Sequence, residues 1–484
     1  MPLLADLLAD VPLRETLGPS DREVSTLQLD SRRVGGGDVF VAVRGTATDG
    51  HRYIGKAIAQ GAVAIVCEEL PDERPEEVTL LKVTDSASAL ATMAANYYGH
   101  PSRELHLVGV TGTNGKTTTV TLLYDLFTEL GYKTGLLSTV ANRIGAQKLA
   151  STHTTPDAIA VQQLLRDMVD AGCNYAFMEV SSHAVAQQRI AGLHFTGAVF
   201  TNLSHDHLDY HETFRAYLEA KKAFFDQLPP SAWALTNVDD KNGPVMLQNT
   251  RARRLGYALR RPADYKAKIV ESRLDGIQLQ LDGHEFYGRL IGEFNAYNAL
   301  AAYAVARELG VDATEVLTAL SNLKAAEGRF DYIGHPTGEG IGIVDYAHTP
   351  DALEKVLQTI LRLRQGEQPI ITVVGCGGDR DRTKRPEMAR IACTYSNDVI
   401  LTNDNPRTEN PETILDDMQA GVPPTHRNSV LRIADRRSAI QTATKLAGAS
   451  GIVLIAGKGH EKYQEINGVK HAFDDKAELA RAWA

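Results

Sequence analysis

Leu105-His106-Leu107-Val108-Gly109-Val110-Thr111-Gly112-Thr113-Asn114-Gly115-Lys116-Thr117-Thr118 carries the reading of this chain. An apolar run long enough for one buried strand breaks at glycines, and a helix is expected from about Lys116. Glycines let backbone N–H groups turn inward on phosphate oxygens, and the helix N-terminus adds a favourable dipole. Lys116 suits the β- and γ-phosphates, and the Thr117 hydroxyl suits Mg²⁺. The usual spacing G-x-x-x-x-G-K-[ST] wants glycine at position 110, where Val110 stands, so the loop is a variant. Gly112, Thr113, Asn114, Gly115, Lys116, Thr117 and Thr118 are the candidate nucleotide-binding residues. A phosphate loop alone does not separate a kinase, an ATPase, a switch and a ligase.

Outward from this segment, apolar strand runs alternate with helical patterns, which predicts an α/β chain with largely parallel sheets. At 484 residues, about three domains are expected. Residues 1–103 hold short strands at Val39–Val43, Val63–Cys67 and Leu80–Val83, then a helix over Ser86–Tyr98 and a Gly99–Ser102 linker. Residues 104–331 form a central P-loop block with further strands at Tyr175–Val180, Ala198–Leu203 and Ala232–Asn237. There, residues 265–292 alternate like an antiparallel meander, and helices follow from Ala296 and from Thr314. Residues 332–484 repeat the pattern, with strands at Gly342–Asp345, Ile370–Gly375, Asp398–Thr402 and Ile452–Ala456, and are expected to be Rossmann-like.

Hydrophobic residues make up 43% and charged residues 23%, which excludes wholesale disorder. A net charge of −9 argues against a nucleic-acid partner or a polybasic membrane binder. The four cysteines form no C-x-x-C pair, the first residues lack a basic signal-peptide start, and no apolar run reaches the ~18 residues that span a bilayer. A cytoplasmic protein without membrane insertion is the expectation.

Downstream, Glu179 closes an apolar strand, where α/β proteins place site residues. Past the next strand, His205-Asp206-His207-Leu208-Asp209-Tyr210-His211 holds three histidines and two aspartates. A zinc hydrolase motif H-x-H-x-D-H is one residue shorter, and carboxylate beside triphosphate fits Mg²⁺ better.

Together these constellations resemble the Mur ligase family. TGTNGKTT (111–118), MEVSSH (178–183), SHDHLDYH (204–211), GEFNAYNALAA (292–302), EGRFD (327–331) and VDYAHTPDAL (344–353) stand in family order over nearly the whole chain. The resemblance implies three domains, for a UDP-sugar (1–103), for ATP (104–331) and for an incoming amino acid (332–484). It also implies ATP as co-substrate, Mg²⁺ as cofactor and an acyl-phosphate intermediate, with Lys116, His207 and Lys221 as catalytic residues. Thr117, Glu179, His207 and Lys221 would be metal ligands, Lys221 as a carbamate built from CO₂. Asn295, Asn298, Arg329 and Asp345 would complete the ATP site, with Tyr346 and His348 in the same turn as Asp345.

The loop Asp404-Asn405-Pro406-Arg407 resembles that of the family's branch that adds meso-diaminopimelate, and an arginine fork suits the carboxylate that lysine lacks. Arg380, Gly457 and Glu461 would complete that site, Glu461 facing the distal ammonium. Leu29, Ser31, Thr46, Ala47, Thr48, Thr154, Thr155, Ser181, Gln187 and Arg189 match positions that hold the UDP-muramoyl dipeptide. A monomer that ligates these substrates is expected. The alternatives are a lysine-adding relative, a folylpolyglutamate synthetase and a non-catalytic nucleotide switch.

Overall fold

Three large sheets and a two-stranded hairpin, Tyr463–Ile466 with Val469–Ala472, divide the chain in a computed structural model that describes residues 1–45, 48–72, 75–151, 153–273, 276–323 and 326–483. Thr46 and Ala47 therefore lie outside the described residues. The first sheet has the spatial order Leu13–Leu17, Thr79–Val83, Ala64–Cys67, Val39–Val41, Leu27–Gln28, and only the first of these runs antiparallel to its neighbour.

The second sheet has eleven strands. Its parallel centre runs Arg253–Ala258, Trp233–Asn237, Gly197–Phe200, His106–Thr111, Tyr175–Glu179, Thr134–Leu137. The central strands are apolar on both faces because helices cover both. Lys116–Glu129 and Glu293–Glu308 pack on one face, and Ala158–Asp170 and Phe214–Asp226 on the other. Helix Glu293–Glu308 is buried nearly all round, and its alanines combine high helix propensity with close approach. The alternating stretch after residue 264 becomes Tyr265–Ser272, Ile277–Leu281 and His284–Gly288, an antiparallel extension of this same sheet.

The third sheet runs Asp331–Gly334, Ile341–Asp345, Ile452–Ala456, Ile370–Val374, Asp398–Leu401, Val430–Arg432, parallel except at its first strand. Helices Pro350–Leu363, Lys384–Tyr395 and Pro411–Gln419 cover one face. Arg436–Ala447 and Asp475–Trp483 cover the other. The last two helices are joined by a fully buried pair. Arg436 Nε and Nη2 donate to the two Asp475 oxygens at 2.8 and 2.7 Å, and Nη2 also reaches the Ala456 carbonyl at 3.1 Å. Removing one member leaves an uncompensated charge, so Asp475→Ala is expected to cost about 3–5 kcal/mol. Urea unfolding followed by fluorescence checks this, because Trp483 ends the same helix. An unchanged midpoint contradicts it.

No described helix is long and apolar enough to cross a membrane. All four cysteines are buried and unpaired.

Candidate active site

The central strand His106–Thr111 ends between two neighbours in register, with Glu179 level with Val110 on one side and Phe200 level with Thr111 on the other. The phosphate loop therefore emerges flanked by Glu179 and by Thr201-Asn202. Two glycines make its path feasible. Gly112 has φ +150°, and a Cβ there would lie 1.9 Å from Thr201 Oγ1; Gly115 turns with φ +87°. Thr201 Oγ1 and Asn202 Nδ2 donate to the Asn114 carbonyl at 2.7 and 3.0 Å, while the Asn114 amide donates to Asn202 Oδ1 at 3.0 Å. Lys116 Nζ closes the loop by donating to the Gly112 and Thr113 carbonyls at 2.8 and 2.9 Å. Burial lowers its pKa, with Glu179 and Asp206 pulling the other way.

Thr117, Glu179 and His207 line one cleft of about 220 Å³. Glu179 Oε1 accepts from the Thr139 amide at 2.8 Å, whereas the buried Oε2 has no hydrogen-bond partner among the described residues. An orphaned carboxylate oxygen beside a phosphate loop suits a hard divalent cation. His207 stands in the left-handed region at φ 55°, and burial lowers its pKa to about 3, leaving the imidazole neutral. No group of three or more His, Cys, Asp or Glu able to hold a metal occurs among the described residues. A cation here would therefore draw ligands from the Thr117 hydroxyl and the substrate as well.

Lys221 is fully buried behind the loop on helix Phe214–Asp226 and does not line the cleft. Its Nζ donates to the Gly112 carbonyl at 2.9 Å and lies 4.8 Å from the Tyr217 ring centre. Burial, reinforced by the Lys116 charge, holds its pKa well below the lysine range. The adjacent Lys222 instead pairs with Asp226 at 2.7 Å.

A second cavity of about 340 Å³ adjoins the first through Asn114, Gly115, Arg329 and Tyr346. Thr118, Asn298 and Asp345 line it. Asn295 does not; its Nδ2 donates to the Ile291 carbonyl, and its Oδ1 accepts from Asn298. Arg329 lies between the cavities, donating to Thr117 Oγ1 at 3.1 Å and resting 4.4 Å from the centre of the Tyr346 ring. Asp345 accepts from the Phe330 and Ala347 amides at 2.6 and 2.7 Å. Burial pushes its carboxyl pKa up, against the pull of Arg329.

The opposite wall is also built from strand ends. Asp345, Ala456, Val374 and Leu401 are level across the third sheet. The loops that follow bring Arg380, Asp404, Asn405, Arg407, Gly457 and Glu461 to the 220 Å³ cleft. Pro406 belongs to the same loop without lining the cleft. Arg407 has φ 51°, donates to the Gly378 carbonyl at 2.7 Å and places Nε 3.7 Å from Glu465 Oε2. Strained backbone at a charged residue facing a cleft is typical of functional positions.

Lys458 was not among the residues singled out by sequence, yet it organises this end. Its buried Nζ donates to Asn405 Oδ1 at 2.8 Å, Asp404 Oδ1 at 3.3 Å and Glu461 Oε2 at 3.5 Å. One ammonium thus serves two carboxylates. Burial and the Asp404 charge push the Glu461 pKa up, against the pull of Lys458. Glu461 is left able to accept a further cation. Asp206, from the histidine-rich segment noted in the sequence, lines the cleft, and so do Asp381 and Lys384, which were unforeseen. Tyr346 and His348, noted in the sequence, are there too.

Of the residues matched to a UDP-muramoyl dipeptide, Thr154 lines the cleft and accepts from Thr139 Oγ1 at 3.0 Å. Thr155, Ser181, Gln187 and Arg189 form one network beside Glu179. Thr155 Oγ1 donates to the Glu179 carbonyl at 2.8 Å and accepts from the Ser181 amide at 3.1 Å, while Arg189 Nη1 donates to the Thr155 carbonyl at 2.8 Å and Nη2 to Gln187 Oε1 at 2.6 Å. Leu29 and Thr48 are exposed and Ser31 is buried, and none of the three lines the cleft.

With this geometry in hand, the chain compares as follows with known proteins. It matches the Mur ligase family, catalytic domain over residues 23–98, the Mur ligase middle domain over 110–306, and the Mur ligase, glutamate ligase domain over 328–459. It is 55% identical over 474 residues to UDP-N-acetylmuramoyl-L-alanyl-D-glutamate–2,6-diaminopimelate ligase of Cytophaga hutchinsonii, covering 98% of this chain and 97% of the relative. The protein of the same description from Phocaeicola vulgatus is 52% identical, with 99% of both chains covered. A solved structure of a ligase so described superposes with a TM-score of 0.71 at 34% identity, covering 100% of this chain and 98% of the other.

Proposed function

Since the chain belongs to the Mur ligase family, we propose that it is the ATP-dependent amide ligase that joins meso-diaminopimelate to the D-glutamyl carboxylate of UDP-N-acetylmuramoyl-L-alanyl-D-glutamate in peptidoglycan precursor synthesis. One observation carries this reading. A phosphate loop and two side chains of opposite charge, Arg407 and Glu461, line a single cleft.

A carboxylate is a poor acyl donor because oxide would have to leave. Transfer of the γ-phosphoryl group of ATP gives an acyl phosphate and releases ADP. The amine then attacks the acyl carbon and phosphate departs. Lys116 neutralises the transferring group, which is mainly a matter of position and charge. Asn298, Arg329 and Asp345 border the nucleoside side, and Arg189 with Thr154 and Thr155 holds the anionic peptide. Thr117, Glu179 and His207 would hold Mg²⁺, which when bound neutralises phosphate oxygens; the unpartnered Glu179 Oε2 fits it. Arg407 receives the distal carboxylate of diaminopimelate and Glu461 its ammonium, with Arg380, Asn405 and Gly457 around them.

The three blocks 1–103, 104–331 and 332–484 follow as units for the UDP-sugar, ATP and the amino acid, with Leu29, Ser31 and Thr48 in the first. Each range is built around its own sheet, although Asp331 already pairs into the third. ATP and UDP-linked substrates belong to the cytoplasm, which is the compartment this reading assigns.

Mass analysis of products from ATP, the UDP-dipeptide and either diaminopimelate or lysine tests the reading. Diaminopimelate is expected to be added with one ADP per product, and ATP cleavage without a lengthened peptide overturns it.

Lys221 is proposed to capture CO₂ as a carbamate. A neutral amine is required, and full burial beside Lys116 favours one. Lys221→Ala is expected to abolish turnover without rescue by bicarbonate. It should also remove the carbamate ¹³C resonance that the unaltered protein gives in ¹³C-bicarbonate. Near-normal activity in the variant, or no such resonance in the unaltered protein, removes the carbamate from the mechanism.

A further inference from the structure

Lys384 opens the 12-residue helix Lys384–Tyr395 and is nine-tenths buried, yet its side chain makes no hydrogen bond or ion pair with any described residue. Its side chain lines the cleft between the two arrays of strand ends. Lysines are seldom buried without a partner, because an unpaired charge away from water is unfavourable. The helix N-terminus beneath it favours negative charge as well. An ammonium placed this way suits an anion that arrives with the substrates.

Its surroundings indicate which anion. Lys384 acts electrostatically on Asp206, which also acts on Lys116 of the phosphate loop. It acts on His348 and on the Cys376 thiol too. Asp404, at the amino-acid end, is served instead by Lys458 and Arg436. Asp206 therefore lies within the fields of two lysines carried by different sheets, and all three residues line one cleft with the phosphate loop.

We propose that Lys384 is a second phosphoryl-binding residue, holding the oxygens of the phosphoryl group from the wall opposite Lys116 once that group has passed to the substrate carboxylate. The assignment rests on the ligase reading given above. In the step it serves, the neutral amine forms the N–C bond and the C–O bond to phosphate breaks. Phosphate leaves with the electron pair, and the nitrogen gives it one proton. Arg380, only four residues earlier, also lines the cleft, so the segment that meets the amino acid also meets the leaving group. Stabilisation of the departing phosphate thereby comes with the amine.

The test compares Lys384→Met, Lys384→Gln and Lys384→Arg in the full chain. Met and Gln are expected to lower kcat about 100-fold, the scale for losing one preorganised charge partner, with KM for diaminopimelate and for ATP within three-fold. Arg is expected to recover at least a tenth of the activity. Product inhibition by inorganic phosphate should weaken at least ten-fold in Met and Gln. Without amino acid, scrambling of a bridging ¹⁸O in ATP, which reports reversible acyl-phosphate formation, should slow in both variants. A kcat within three-fold of the unaltered protein overturns the proposal, as does a loss confined to KM for diaminopimelate or unchanged inhibition by phosphate. If the unaltered chain forms no product, the ligase reading itself fails; if it does and the Met and Gln variants match it, only the role of Lys384 fails.

Discussion

Lys116→Met is expected to lower kcat about 1,000-fold, the upper end of the range for deleting one preorganised electrostatic partner. The ammonium has two tasks that the thioether cannot perform. It neutralises the phosphoryl group in transfer, and it ties the loop together through the Gly112 and Thr113 carbonyls. The second task predicts a weaker grip on ATP as well, so KM for ATP should rise along with the fall in kcat. Lys116→Arg should recover little, because a planar fork does not replace a compact point charge between two carbonyls. Rapid-quench measurement of ADP formation, with calorimetric titration of the nucleotide, separates the two effects. A kcat within ten-fold of the unaltered enzyme would falsify the assigned role.

Arg407→Ala should act on choice of substrate. Truncating one partner of a buried charged contact costs about 2–5 kcal/mol, roughly 30- to 5,000-fold in kcat/KM. That loss should fall on diaminopimelate and spare lysine, which lacks the second carboxylate. Arg407 is already held by the Gly378 carbonyl and faces Glu465, so the guanidinium is oriented before the amino acid arrives. Arg407→Lys should behave more like Ala than like the parent, having neither the fork nor its geometry. Parallel loss with both amino acids, or an unaltered enzyme that uses them equally, contradicts the assignment.

The parallel core was legible because its strands are buried on both faces and so appear as plain apolar runs. Ile452–Ala456 and the helix start at Lys116 fall where the sequence places them. Edge strands were not legible. Leu13–Leu17 is almost wholly exposed, and Asn142–Ile144 with Gln147–Leu149 forms a polar hairpin, so neither carries an apolar pattern. The same limit applies to the site. Glu179, Arg407 and Glu461 announce themselves by following strands, and the folded chain brings all three to one cleft. Lys384 and Lys458 could not be told from surface lysines, because their burial is created by elements distant in sequence. Lys458 had a faint signal in the Gly-Lys-Gly turn after a buried strand; Lys384 had none.

Two ties span the cleft. Asn114 Nδ2 of the phosphate loop donates to Asp351 Oδ2 at 3.0 Å, and His205 Nε2 lies 3.4 Å from Asp381 Oδ2. These two bonds join the nucleotide wall to the amino-acid wall around a volume smaller than most ligand pockets. Any separation of the two walls has to break both of these bonds. The imidazole–carboxylate tie is long and half open to solvent, so the Asn114–Asp351 hydrogen bond is the firmer latch of the two.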